Sequence, residues 1–153
     1  NAIRVFPKLY IGGRPEAGPL LNSLGVQVLV LCAKEYQLEA SRFPGVQVIH
    51  CPFDDDYSSG PSARELTKIQ QAAWAAAGSV LQRKRTLITC FAGRNRSGLV
   101  TALTLHLLTG ETGKKCMAHV KKMRETQIEG VLENPYFIDI LSNLPATRKM
   151  KLL

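Results

Sequence analysis

Residues 90 to 97 read Cys-Phe-Ala-Gly-Arg-Asn-Arg-Ser, which places a thiol and a guanidinium six residues apart, at Cys90 and Arg96. A thiolate is a strong nucleophile, and an arginine offers a planar fork that holds two oxygens of an anion. Gly93 lies between them and lets the chain curl, so that successive backbone N–H groups point inward as an anion nest. The chemistry such a set supports is attack by sulfur on an anion seated in an oxyanion-sized cradle.

Such a cradle needs rigid elements on both sides. Before it stands Thr86-Leu87-Ile88-Thr89, β-branched and apolar, which predicts a buried strand. After it, Leu99 to Leu108 is apolar on nearly every side and predicts a buried helix. The segment is therefore a tight loop from a strand's C-terminal end into a helix N-terminus. Unpaired N–H groups and the positive end of the helix dipole make that terminus an anion site, and they favour the thiolate.

Cys-x5-Arg-Ser with a glycine midway resembles the phosphate-binding loop of the cysteine-dependent protein tyrosine phosphatase superfamily, and the short chain is most similar to its dual-specificity branch. Leu9-Tyr10-Ile11-Gly12-Gly13 near the start and Asn134-Pro135-Tyr136-Phe137 near the end resemble the same domain, so the likeness spans nearly the whole chain. The family usually carries His just before the Cys, where it helps to hold the loop and tune the thiol; this chain has Thr89, a departure that bears on the thiol and not on the cradle. The resemblance implies hydrolysis of phosphate monoesters through a cysteinyl-phosphate. Cys90 is the nucleophile, Phe91, Ala92, Gly93, Arg94, Asn95 and Arg96 bind the phosphate, and Ser97 sits where a family hydroxyl hydrogen-bonds the sulfur. No metal or other cofactor is implied, because Arg96 and the amides supply the positive charge.

A second stretch, Cys51-Pro52-Phe53-Asp54-Asp55-Asp56-Tyr57-Ser58-Ser59-Gly60, reads as a loop after a strand, and sites in α/β proteins gather at strand C-termini. Three adjacent carboxylates are costly unless solvated or near positive charge. A solvated turn is the ordinary explanation; a general acid is the functional one. Any of Asp54, Asp55 and Asp56 could serve. Family loops with Pro-x-x-Asp after this strand place the acid on the last residue, which here is Asp55.

The chain has 153 residues, 45% of them hydrophobic, which suits one compact domain with its own core. We expect that domain over residues 1–145, with residues 146–153 a basic, frayed tail. No apolar run approaches the roughly 20 residues of a membrane helix, so no transmembrane segment is expected. Four cysteines, at 32, 51, 90 and 116, follow neither zinc nor secreted-disulfide spacing, and His50, His106 and His119 show no metal spacing. A reduced, cytoplasmic or nuclear monomer is the expectation, with no disulfide from Cys90 to Cys32 or Cys51. A net charge of +8 favours phosphorylated, acidic or polyanionic partners, polyanionic phosphates among them, without choosing between them, and the resemblance implies phosphorylated protein substrates.

The remaining pattern predicts an α/β fold: a central mixed, largely parallel sheet flanked by helices, as in the dual-specificity core. Short strands are expected at 3–5 and 9–11, a helix from Pro19 to Leu24 ending at Gly25, and strands at 26–31 and 46–50. Residues 34–42 suggest a helical turn. Pro61-Ser62 opens a helix with capping-box spacing to Glu65, with Trp74 partly buried on it, and Arg83-Lys84-Arg85 after it as a structural basic run. A helix over 112–127 should turn Met117, Val120 and Met123 inward and Lys114, Lys115, Lys121, Lys122 and Arg124 outward, as a solvated or polyanion-docking face. The last helix, from Asn134-Pro135 to a stop at Pro145, should bury Tyr136, Phe137, Ile140, Leu141 and Leu144.

Three alternatives accompany the protein-phosphatase expectation. Arg94 adds a cation in the loop, as lipid and inositol phosphatases of the superfamily often do. Asn95 resembles the loop of cysteine-dependent RNA 5′-triphosphatases. Thr89 leaves open a catalytically silent phosphate-binding module.

Overall fold

The structure is a computed structural model and describes residues 2–15 and 20–152. Its centre is a five-stranded sheet: β1 (Ile3–Phe6), β2 (Leu9–Gly12), β3 (Val28–Ala33), β4 (Gln47–Phe53) and β5 (Thr86–Thr89), in the order β1-β2-β5-β3-β4. β1 runs antiparallel to β2, and every other pairing is parallel. This is the mixed, largely parallel sheet expected from alternating strand and helix patterns.

The continuous apolar run of β3 is explained by burial on both faces. Val30 and Cys32 enter the larger core, while Leu29 and Leu31 enter a smaller one on the opposite side. The larger core is closed by α2 (Ala63–Leu81), α3 (Arg96–Thr109), α4 (Gly113–Arg124) and α5 (Pro135–Ser142). The smaller is closed by Leu21 of α1 (Leu20–Ser23), with Phe43 and Val46. The expected helix start at Pro19 lies outside the described residues. Gly25 ends the turn after α1 at φ 79°, a left-handed position that favours glycine.

The helix boundaries follow local chemistry. Ser62 and Glu65 form the reciprocal capping box at the start of α2. Asn134 caps α5, with Pro135 at its first position. Among the described residues, no helix is long and apolar enough to cross a membrane.

Several expectations need correction. Cys51, Pro52 and Phe53 belong to β4 and not to a loop, because Phe53 pairs with Ala33 past a register shift. In the 34–42 stretch only Ala40–Arg42 turns, as a short 3-10 helix. Trp74 is 58% exposed, on the solvent side of α2. Tyr136 is exposed and donates its hydroxyl to Ser58 O at 2.9 Å, while Phe137 and Leu141 are buried. α5 ends at Ser142, ahead of Pro145, with Asn143 as its cap. Arg124 is buried, not on the outer face of α4. Residues 147–150 are not frayed: Thr147 N donates to Gly110 O at 2.9 Å and Met150 N to Leu107 O at 2.7 Å.

The parallel strands β2 to β5 share a direction, so Gly12, Ala33, Phe53 and Thr89 end at one side of the molecule. Residues 90–96 and 54–57 continue from two of those ends and meet there.

Candidate active site

Cys90 follows β5 and Arg96 opens α3, so the loop between them is pinned at both ends by buried elements. Gly93 sits at φ 73°, and a Cβ there would lie 2.8 Å from Gly12 O, so only glycine fits the curl. Its N–H donates to Cys90 Sγ at 3.3 Å, and Ser97 Oγ lies 3.2 Å from the same sulfur. The sulfur is thus met from two sides.

A loop that turns N–H groups inward turns carbonyls outward, and buried carbonyls need donors. Arg124 supplies them. Its Nε donates to Gly93 O at 3.0 Å and its Nη2 to Ala92 O at 3.3 Å, and Nη1 reaches Gln127 Oε1. Burial lowers its pKa, and negative charge at Cys90 offsets this only in part. The signal for Arg124 was present: Cys116, Val120 and Arg124 recur at i, i+4, i+8 on the inward stripe of α4. Its charge argued for solvent and the periodicity argued for the core; the core prevailed because the loop carbonyls needed it.

Arg96 is held end-on. Nη1 donates to Glu35 Oε1 at 2.5 Å and to Phe53 O at 3.2 Å, and Nη2 donates to Glu35 Oε2 at 2.8 Å. Its Nε is buried and has no protein partner. Glu35 therefore occupies the tip of the guanidinium and leaves the Nε edge without a protein partner. Burial works against the charge of Arg96, but Glu35, Cys90 and Asp55 more than offset it and raise its pKa. The same hydrogen bond brings the Glu35 carboxyl down from 4.5 to about 2. Sequence reasoning missed Glu35; the available signal was its place directly after a strand's C-terminal end.

Of the three aspartates, only Asp55 joins the site. Its Oδ2 accepts from Asn95 Nδ2 at 2.9 Å and its Oδ1 from Asn134 Nδ2 at 2.8 Å. Asp54 is exposed beside Lys34 Nζ at 3.4 Å. Asp56 turns back to cap its own loop, accepting from Ser58 N, Ser58 Oγ and Ser59 Oγ, and the Ser58 hydroxyl leads in lowering its pKa. Asn95 Oδ1 accepts from Glu133 N at 2.8 Å and Asn134 N at 3.3 Å, and Asn134 Oδ1 caps α5 through Tyr136 N and Phe137 N. Two amides thus lock the acid loop, the phosphate loop and α5 together.

These groups enclose a cavity of about 270 Å³, lined by Cys90, Arg96, Asp55, Glu35, Tyr57 and Phe91 among others. Arg94 also reaches it and is exposed. Phe91 is held by the Arg14 guanidinium, 5.2 Å from its ring centre and 5.4 Å from that of Tyr36. A larger cavity, about 620 Å³, opens beside α1 over Tyr10, Leu21, Val26 and Leu87. Among the described residues its lining holds no cysteine and no carboxylate, so the smaller cavity, which holds Cys90, is the candidate. Thr89, in the position of the family His, is buried and donates to Val30 O at 2.9 Å, tying β5 to β3.

The chain matches no protein-family model and no curated protein sequence. Solved structures are similar to it. A mouse protein described as a dual-specificity phosphatase, complexed with zinc tungstate, shares 27% identity at a TM-score of 0.75, over 92% of this chain and 83% of that one. Human DUSP28 shares 26% identity at a TM-score of 0.74, over 92% and 89%. PTPMT1 in complex with PI(5)P shares 16% identity at a TM-score of 0.75, over 92% of each chain, a likeness of fold alone.

Proposed function

We propose that this chain, by fold and catalytic loop a dual-specificity phosphatase domain of the protein tyrosine phosphatase superfamily, hydrolyses phosphate monoesters on phosphotyrosine and phosphoserine/phosphothreonine proteins. The observation that carries this reading is the convergence of Cys90 Sγ, the unpartnered Nε of Arg96 and the Asp55 carboxyl on one small cavity.

In the first step the Cys90 thiolate attacks phosphorus. An S–P bond forms as the bond to the leaving oxygen breaks, and Asp55, entering protonated, passes its proton to that oxygen. Arg96 Nε and the backbone N–H groups of residues 91–96 stabilise the equatorial oxygens. In the second step water attacks the cysteinyl-phosphate, the Asp55 carboxylate takes the water's proton, and the S–P electron pair returns to sulfur. Ser97 Oγ, 3.2 Å away, stabilises the departing thiolate.

The rim supports a protein substrate. Phe91 and Tyr57 are both more than half exposed at the cavity, and its three carboxylates, Glu35, Asp55 and Glu133, outnumber its two guanidinium groups, Arg94 and Arg96. That mouth suits a phosphorylated side chain better than a ligand carrying several phosphates. A phosphoinositide is the second reading, and it rests on Arg94, which no carboxylate pairs among the described residues. Asn95 does not support an RNA 5′-triphosphate, because both ends of its amide are engaged within the protein.

The test is hydrolysis of 4-nitrophenyl phosphate at mildly acidic pH in the presence of a chelator, beside Cys90→Ser. Turnover that disappears in the variant supports the phosphatase, and phosphopeptides compared with phosphoinositides then separate the two substrate classes. Absence of turnover with vanadate still bound would replace the reading with a silent phosphate-binding module.

A further inference from the structure

The strands that end at the catalytic loop begin at the opposite pole; carboxylates and cations mix at the first, and cations outside ion pairs gather at the second. Registers Leu9↔Thr86, Thr86↔Val28 and Val28↔Gln47 align the starts of β2, β5, β3 and β4 in one row. The residues just before that row include Lys8 and Arg85, on adjacent strands; Thr86 N donates to Lys8 O at 2.8 Å. Arg83 and Lys84 complete the turn from α2 into β5. The docked tail adds Arg148 and Lys149, because Thr147 N bonds Gly110 O at the end of α3. Among the described residues none of these six cations is in an ion pair, and the carboxylate that follows α3, Glu111, is paired with Lys115 at 3.3 Å. Glu35, Asp54, Asp55 and Glu133 lie instead around the catalytic cavity and its acid loop.

Backbone conformation at this pole is an independent sign. Among the described residues three non-glycine residues have positive φ, and two of them are Lys8 (69°) and Arg83 (62°). Arg83 stands just past the end of α2, with its N–H on Val80 O, where glycine is the favoured residue. Each of these turns holds a cation where a glycine would be less strained, and strain of this kind is a mark of function. The third turn of the pole carries Leu24, 60% exposed, against the Arg85 guanidinium, which donates to Leu24 O.

We propose that this basic pole docks the protein on an anionic lipid surface. The three turns precede neighbouring strands and form an edge that combines cations outside any ion pair with an exposed aliphatic side chain, the pairing by which peripheral proteins hold acidic bilayers. None of the large exposed aromatics (Tyr57, Trp74, Phe91, Tyr136) belongs to these turns, so the edge lacks the stacking platform a single-stranded nucleic acid would use. Docked this way, the protein holds its catalytic cavity away from the bilayer, by roughly 13 Å for the four residues of β5 alone. The lipids beneath it are out of reach, and the cavity faces soluble phosphorylated partners.

The test is co-sedimentation of the full chain with phosphatidylcholine vesicles, with and without about one third phosphatidylserine. Binding is expected to the anionic vesicles only, weakening as salt rises. The double variant Lys8→Gly/Arg83→Gly removes two cations and relieves both turns, so it should melt no lower than the parent while binding roughly thirtyfold more weakly. Leu24→Ser should weaken the residual binding at high salt. Equal binding to neutral vesicles, unchanged binding by the double variant, or tighter binding to single-stranded RNA than to vesicles would each overturn the proposal. Hydrolysis of a phosphoinositide placed in the bound vesicles would overturn the outward orientation, whatever the outcome with phosphopeptides. Binding is read without turnover, so failure here is separate from failure of the phosphatase reading.

Discussion

The phosphate loop and the acid loop face one cavity but are built in different ways. The first is nearly self-contained: Cys90, Gly93, Arg96 and Ser97 fall within eight residues, and the sulfur's own partners are Gly93 N and Ser97 Oγ. The second is an assembly. Asp55 is aimed by Asn95, 40 positions away, and by Asn134, 79 positions away. A local motif carries its geometry in its own spacing, whereas an acid held by distant amides has an aim that remote substitutions can spoil.

The sharpest way to break this comparison is to remove the acid and keep the cradle. Asp55→Asn should lower kcat on poor leaving groups, such as phosphoserine peptides, by about 10²–10⁴. Vanadate affinity should stay close to that of the parent, because Cys90, Gly93 and Arg96 keep their own partners. If Asp54→Asn or Asp56→Asn produced that loss and Asp55→Asn did not, the acid would be another residue of the triplet.

The next test strikes the cradle from behind. Arg124→Met strands the buried carbonyls of Gly93 and Ala92 without touching the cavity. Each stranded group costs about 1–3 kcal/mol, so a loss of roughly 2–6 kcal/mol in denaturant-measured stability is expected for the two, together with weaker vanadate binding. Loss of stability with vanadate binding intact would show that Arg124 supports the core and not the loop.

What could be read from the sequence follows the same division. The loop, the strand before it and the helix after it were legible, because spacing and apolar periodicity are local. Ser62 and Asn134 were legible as caps for the same reason. Choosing among Asp54, Asp55 and Asp56 was not a local question: on residue types alone the three were equivalent, and what separates them is Asn95 and Asn134 on one side, and Lys34 and Ser58 on the others. Arg124 was misplaced because a positive charge outweighed a correct helical stripe. Glu35 was missed because an ion pair across 61 residues leaves no trace in spacing, and its place just past a strand end was the one local cue. The docked tail was missed because backbone bonds to Gly110 and Leu107 depend on which helix ends lie beside it.

A smaller effect sharpens the case for the assembled side. Asn134 uses its oxygen to cap α5 and its nitrogen to hold Asp55 and Asp56 O. Serine caps a helix about as well as asparagine but cannot reach Asp55 as a donor, so Asn134→Ser separates the two roles. The expected loss is about tenfold on phosphoserine peptides and little on an aryl phosphate whose leaving group needs no proton. An equal loss on both substrates, with a lowered melting temperature, would assign Asn134 to structure alone.

The smallest effect concerns Glu35, where the two sides touch through Arg96. Its carboxyl is held at about 2 against an ordinary 4.5, first by the hydrogen bond from Arg96. A carboxyl with a lowered folded-state pKa stabilises the fold fully above its unfolded value, and the contribution is lost as pH falls through the folded value. The window therefore runs from about 4.5 down to about 2. Because the Glu35 side chain is 51% exposed, solvent screens the pair and its worth stays within about 1 kcal/mol. Glu35→Gln should thus melt slightly below the parent at pH 6, and the gap should narrow as the pH drops through that window. A gap that persisted at the acid end would mean that Glu35 acts by packing or hydrogen bonding rather than by charge. In that case the end-on hold on Arg96, and with it the free side edge at Nε, would not depend on the carboxylate.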